Sequence, residues 1–157
     1  MMLTDEQVIA KYGQPGDEDN IVLIDLPYPM RYVVSETKTT EVKRMRCHKL
    51  IADNLTAVFN ELLSVYGYDT IKKLGIDLFG GCVAVRLMRG SKTKWSRHSW
   101  GVAIDLHPLK NQLKWKAPQA LFSDLLYKEM IDIFYKHGFM SLGREQDRDW
   151  MHMEING

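Results

Sequence analysis

Ser96-Arg97-His98-Ser99-Trp100-Gly101-Val102-Ala103-Ile104-Asp105-Leu106 ends in a period-two pattern that decides the reading of the chain. Residues 102–106 alternate as a strand does. Ala103, Asp105 and the following His107 point to one face, and Val102, Ile104 and Leu106 to the other. The second face is apolar and predicts packing on a helix. The first carries a carboxylate and an imidazole, with only the small Ala103 between Asp105 and Gly101, which leaves room for an ion or a substrate. A carboxylate placed there needs a compensating partner, because burying it alone is costly.

Toward the C-terminus the alternation returns. Trp150, His152 and Glu154 share one face of a strand over 150–155, and Met151, Met153 and Ile155 the other. Upstream, residues 82–88 are strand-like, as are the shorter segments 21–24 and 32–34, linked through Pro27 and Pro29. The spacing of Leu55, Val58, Phe59, Leu62, Leu63 and Tyr66 predicts a long helix over 43–66, capped at Gly67. Thr4 and Gln7 form a capping-box signature for a helix over 5–12 that stops at Gly13. Further helices are predicted over 69–74 and 120–135. Helices and short strands interleave with irregular spacers. This predicts an α+β domain with a small, mainly antiparallel sheet packed against helices.

The length of 157 residues suits one domain with a real core, and no repeat or linker divides it. Lys plus Arg number 21 against 20 Asp plus Glu, a net charge of +1. That balance removes the electrostatic argument for nucleic acid or an anionic membrane as partner. No apolar run approaches the ~20 residues that span a bilayer. The first twenty residues show no basic stretch followed by an apolar core, so synthesis in the cytosol without a signal peptide is expected. Cys47 and Cys82 are isolated and read as reduced thiols.

His98, Asp105 and His152 together would make a two-nitrogen, one-oxygen set for zinc, with a fourth position open as a catalytic site requires. Two imidazoles favour zinc over magnesium. The spacing alone imposes no geometry that brings the three together. The pattern Ser-x-His-x-x-Gly-x-Ala-x-Asp over 96–105, followed by Trp-x-His over 150–152, resembles the zinc peptidases of bacterial peptidoglycan. These are the D-alanyl-D-alanine carboxypeptidases and dipeptidases and the phage L-alanyl-D-glutamate endolysins, whose fold the sonic hedgehog N-terminal domain shares. The likeness covers about residues 80–155 and leaves 1–40 as an N-terminal extension of one domain, 1–157. With the preceding Arg86-Leu87-Met88-Arg89-Gly90, the stretch looks closest to the phage branch.

The resemblance implies that His98, Asp105 and His152 hold zinc. It also implies an acidic general base three residues before the last ligand, which here is Asp149. Asp149 has the wrong parity for the strand face of His152 and is expected in the turn before it, or beside a bulge. Glu154, on the right face, is the second choice. Arg86, read as sharing a strand face with Cys82 and Ala84, is expected to hold a substrate carboxylate or the developing oxyanion. Ser96 and His107 are expected to line the substrate cleft. The implied activity is zinc-dependent hydrolysis of peptidoglycan stem peptides by a monomer at the bacterial wall or periplasm, with the L-alanyl-D-glutamate bond preferred. The alternatives are a D-alanyl-D-alanine carboxypeptidase and, from another class, a zinc-containing binding or phage structural module without turnover.

Other residues read as structural. His48 opens the long helix, and His137 sits in a last turn where the helix dipole favours a cation. Nothing activates Ser96 as a nucleophile. Lys92, Lys94 and Arg97 form a basic run that reads as a solvated loop or as an attractor of anionic wall polymer.

Overall fold

The computed structural model describes residues 2–157. In chain order it comprises helix α1 (Asp5–Tyr12), strands β1 (Ile21–Ser35) and β2 (Lys38–His48), helices α2 (Ala52–Tyr66) and α3 (Tyr68–Leu74), strands β3 (Leu78–Gly81) and β4 (Ala103–Leu106), helix α4 (Lys128–Lys136), strand β5 (Phe139–Ser141), helix α5 (Leu142–Gln146) and strand β6 (His152–Ile155). The strands form one sheet in the order β2-β1-β3-β4-β6-β5. All neighbours are antiparallel except β1 and β3. The α+β class with a mainly antiparallel sheet is therefore as the sequence predicts.

The centre of the sheet follows the alternation. Ile104, Leu106, Met153 and Ile155 are buried on one face, in the same core as Leu55, Val58, Phe59 and Leu62 of α2 and Met130, Ile133 and Phe134 of α4. On the other face, Asp105 stands opposite His152 and Ala103 opposite Glu154. α1 carries the predicted capping box between Thr4 and Gln7.

Four elements differ from the sequence expectation. Residues 43–48 are the end of β2, not the start of a helix, because Met45 and Cys47 alternate inward against exposed Arg44 and Arg46. The two short strands at 21–24 and 32–34 are one strand, β1. Its pairing with β2 breaks register between Asp25 and Met30, where Pro27 and Pro29 withhold backbone donors. Residues 82–88 are extended but lie outside the sheet, since β1 and β4 already flank β3. Their backbone bonds go instead to the 96–99 turn: Ala84 N–H to His98 C=O, and Arg86 C=O from Ser96 N–H. The helix expected over 120–135 starts at Lys128. Two short 3₁₀ turns precede it, and the Asp124 side chain caps the second by accepting the Leu126 N–H.

Candidate metal centre

His98 stands in a 3₁₀ turn, Arg97–Trp100, whose first turn is capped by the Ser96 hydroxyl accepting the His98 N–H at 3.3 Å. Gly101 ends the turn at φ 73°, and a Cβ there would lie 2.9 Å from the His48 backbone nitrogen. Only glycine permits that approach. The turn thereby delivers His98 over β4, where Asp105 projects from the centre of the sheet. His98 Nε2 lies 3.1 Å from one Asp105 oxygen, and His152 Nδ1 lies 3.2 Å from the other. One donor atom from each of the three residues falls within 4.8 Å of the others. The two imidazoles meet edge to face.

The surroundings fix which nitrogen faces the site. His98 Nδ1 lies 3.0 Å from the Cys82 carbonyl, which can only accept, so the proton sits on Nδ1 and the Nε2 lone pair points inward. That Nε2 is buried without a hydrogen-bond partner. On the other side, His152 Nε2 lies 3.0 Å from Glu154 Oε1 and donates to it, which leaves Nδ1 facing Asp105. Burial opposes the charge on Asp105, but the hydrogen bond from His152 and the imidazoles of His152 and His98 beside it hold its carboxyl well below the usual range. Burial likewise opposes a charged His152, yet Asp105 and Glu154 raise its pKa to about 10. A doubly protonated His152 bridges two carboxylates, and a cation can take the place of its Nδ1 proton. Two imidazole nitrogens and a carboxylate converging on one position, one of them a buried orphan, are a donor set that fits zinc.

Asp149 lies where its parity requires, in the turn before β6, at φ 49°. Its Oδ2 is 3.9 Å from His152 Nδ1, and its side chain is 13% exposed. Burial raises its pKa, against the lowering pull of His152. The turn is pinned at several points. The Asp149 N–H donates to Leu113 C=O, and Asp147 accepts from the Trp150 indole and the Ala117 N–H. Trp150 presses on Gly143 so closely that a Cβ there would sit 2.1 Å from the indole. Trp150 thus shapes the turn that aims Asp149.

A cleft of about 400 Å³ opens over the cluster, and Asp149, Glu154, Ser96 and Arg86 line it. A second cavity shares Arg86, Arg89, His98, Asp105 and Met151 with it and runs on toward the β1–β2 hairpin. Arg86 is exposed on its extended segment, at the junction of the two. His107 is placed elsewhere. The chain turns at φ 44° there, and the ring lies against Gly75 and edge-on to Phe122, in neither cavity. Leaving β4 at that residue takes its side chain off the Asp105 face. Arg97, read from sequence as part of a solvated run, is turned inward and paired with Asp5. No sequence signal joins residues so far apart. The part of Cys82 C=O in fixing His98 was equally hidden, because it is a backbone group. Glu154 could be found, since it shares strand parity with His152.

Residues 89–155 match the D-alanyl-D-alanine carboxypeptidase family. The comparisons with curated proteins and with solved structures returned no match. The segment matching the carboxypeptidase family contains His98, Asp105 and His152 together with Asp149 and Glu154; Arg86 and the β1–β2 hairpin precede it. The match supports the resemblance drawn from the two motifs, and with it a metallopeptidase acting on peptidoglycan peptides. Among the described residues no helix is long and apolar enough to cross a membrane.

Proposed function

We propose that the chain is a zinc endopeptidase of the phage endolysin type, cutting L-alanyl-D-glutamate bonds inside peptidoglycan stem peptides. The observation that carries this is the continuity of the cleft. His98 and Asp105 line both cavities and His152 the first, so open space continues on two sides of the Asp105 carboxylate. An endopeptidase must seat peptide on both sides of the bond it cuts, whereas a carboxypeptidase needs a pocket closed just beyond one residue. Arg86, Arg89, Lys114, Lys116 and Arg148 border the cleft and suit a peptide rich in carboxylates.

In this reading His98 Nε2, Asp105 and His152 Nδ1 hold the metal, with Cys82 C=O and Glu154 fixing the two rings. Zinc supplies Lewis acidity toward the scissile carbonyl and the attacking water. Asp149 takes the proton of that water as the C–O bond forms, then gives it to the leaving amine nitrogen as the C–N bond breaks. Arg86 binds a substrate carboxylate or faces the oxyanion. The protein would act as a monomer at the wall or in the periplasm, after synthesis in the cytosol.

The D-alanyl-D-alanine carboxypeptidase reading is favoured by the description of the matched family. Mass spectrometry of muropeptides incubated with the purified protein separates the two. Release of the whole stem beyond L-alanine is the expected result. Loss of only a terminal D-alanine would replace the endopeptidase by the carboxypeptidase, and intact stems would leave a zinc-containing binding module.

A further inference from the structure

Arg97 stands between the cap Ser96 and His98, and its side chain is only 11% exposed. Its guanidinium clamps the start of the chain. Nη1 donates to Asp5 Oδ1 at 2.6 Å and Nη2 donates to the Leu3 carbonyl. The other oxygen of Asp5 accepts the Trp95 N–H at 3.0 Å. Nη1 also donates to the Trp95 carbonyl at 3.4 Å, and the third nitrogen, Nε, is buried and makes no hydrogen bond. It lies 3.9 Å from Glu154 Oε2. Glu154 is itself buried, and its second oxygen accepts from His152 Nε2.

A buried carboxylate needs a cation nearby to stay in place, and Arg97 supplies one to the residue that orients His152. The guanidinium in turn is fixed by α1, an element outside the segment that matches the known family. We propose that Arg97, anchored by Asp5, is a positioning residue for the metal centre, acting through Glu154 to present His152 Nδ1 to zinc. This rests on the zinc reading above. It ties the N-terminal segment to the site, because the chain's first helix braces the last ligand. Groups that orient a metal-bound imidazole typically change affinity by about 10–100-fold when removed.

The test is the zinc affinity of the purified, zinc-loaded protein, read by competition with a chromogenic chelator. Arg97→Ala is expected to weaken zinc by about 10-fold or more, and Arg97→Lys to recover part of the loss, since it keeps the charge without the fork. A bracing role that ran only through general stability would add to the effect of Glu154→Gln. A role that runs through Glu154 will not. Arg97→Ala should therefore cost little in a Glu154→Gln background. Should Arg97→Ala fail to fold, Asp5→Asn loosens only the anchor. It is expected to give a smaller loss in the same direction, again absent beside Glu154→Gln. Equal losses in both backgrounds, or wild-type zinc affinity in the Arg97 and Asp5 variants, would overturn the positioning role while leaving the peptidase reading intact. A wild-type protein that takes up no zinc would overturn both.

Discussion

His98 Nε2, His152 Nδ1 and a carboxylate oxygen of Asp105 meet at one position, and Cys82 C=O and Glu154 hold the opposite ring nitrogens of the two imidazoles. Without a proton or a cation between them, such atoms repel one another. The expected content is one zinc per chain, and His98→Ala combined with His152→Ala should abolish it in metal analysis. Stoichiometric zinc in that double variant would place the site elsewhere. Asp149 differs from these three residues in lying beside the cluster rather than in it. Its replacement by Asn keeps the size and removes the basicity. Asp149→Asn should keep normal zinc content and lose turnover by about 10²-fold or more. Glu154→Gln should be milder in turnover, as it touches a ligand and not the reacting atoms. Wild-type rates with Asp149→Asn and a dead Glu154→Gln would exchange the two roles.

At the scale of elements, the sequence is legible where one face is apolar and the other is not. β4 and β6 show this in four residues each, and their pairing puts Asp105 opposite His152, which alternation cannot foretell but does allow. The β1–β2 hairpin is harder to read because much of it is exposed on both faces, and in β2 the buried apolar signal rests on Met45 and Cys47. A helical pattern that starts at Leu55 is then easily extended back over them. Segment 82–88 shows a different limit. Its residues suit a strand, but the place in the sheet goes to whichever segment closes the better ladder. One polar pair fixes the outer half of that sheet: Arg31 donates twice to Asp77, at 2.6 and 2.9 Å, and Asp77 is fully buried. It joins β1 to the entrance of β3, the single parallel pairing. Arg31→Ala leaves a buried carboxylate uncompensated and is expected to cost about 3 kcal/mol, the low end for such pairs because Arg31 is partly exposed. Urea unfolding of the variant at neutral pH measures it; a midpoint unchanged from wild type would show that water already compensates Asp77.

Across the whole molecule, His48 is where the N-terminal helix, the hairpin and the turn that carries His98 meet. Its backbone N–H donates to Gly101 C=O, its Nε2–H donates to Tyr12 C=O at 2.7 Å, and its Nδ1 accepts the Leu50 N–H at 3.0 Å. The ring is full as a neutral imidazole, with no lone pair left for a second proton. Burial lowers its pKa below the ordinary 6.5, helped by Lys49 and opposed by the Tyr12 carbonyl and Asp17. The sign follows from linkage. Above about pH 6.5 neither the folded nor the unfolded chain protonates this ring, and its contribution to stability is fully present. As pH falls below that value the unfolded chain takes up a proton that the folded chain refuses, so stability drops until the folded pKa is passed. His107, also buried and lowered, acts in the same direction, and under the proposed zinc reading the cluster would add its own loss of metal in acid. His48→Asn isolates the His48 share, since Asn keeps an acceptor for the Leu50 N–H and does not titrate in this range. The difference in unfolding free energy between about pH 7.5 and about pH 5.5 should be smaller in the variant than in wild type, both measured in zinc-replete buffer. An identical difference in the two proteins would mean that the folded chain accepts the proton on His48, and that the junction of helix, hairpin and turn is looser than its hydrogen bonds describe.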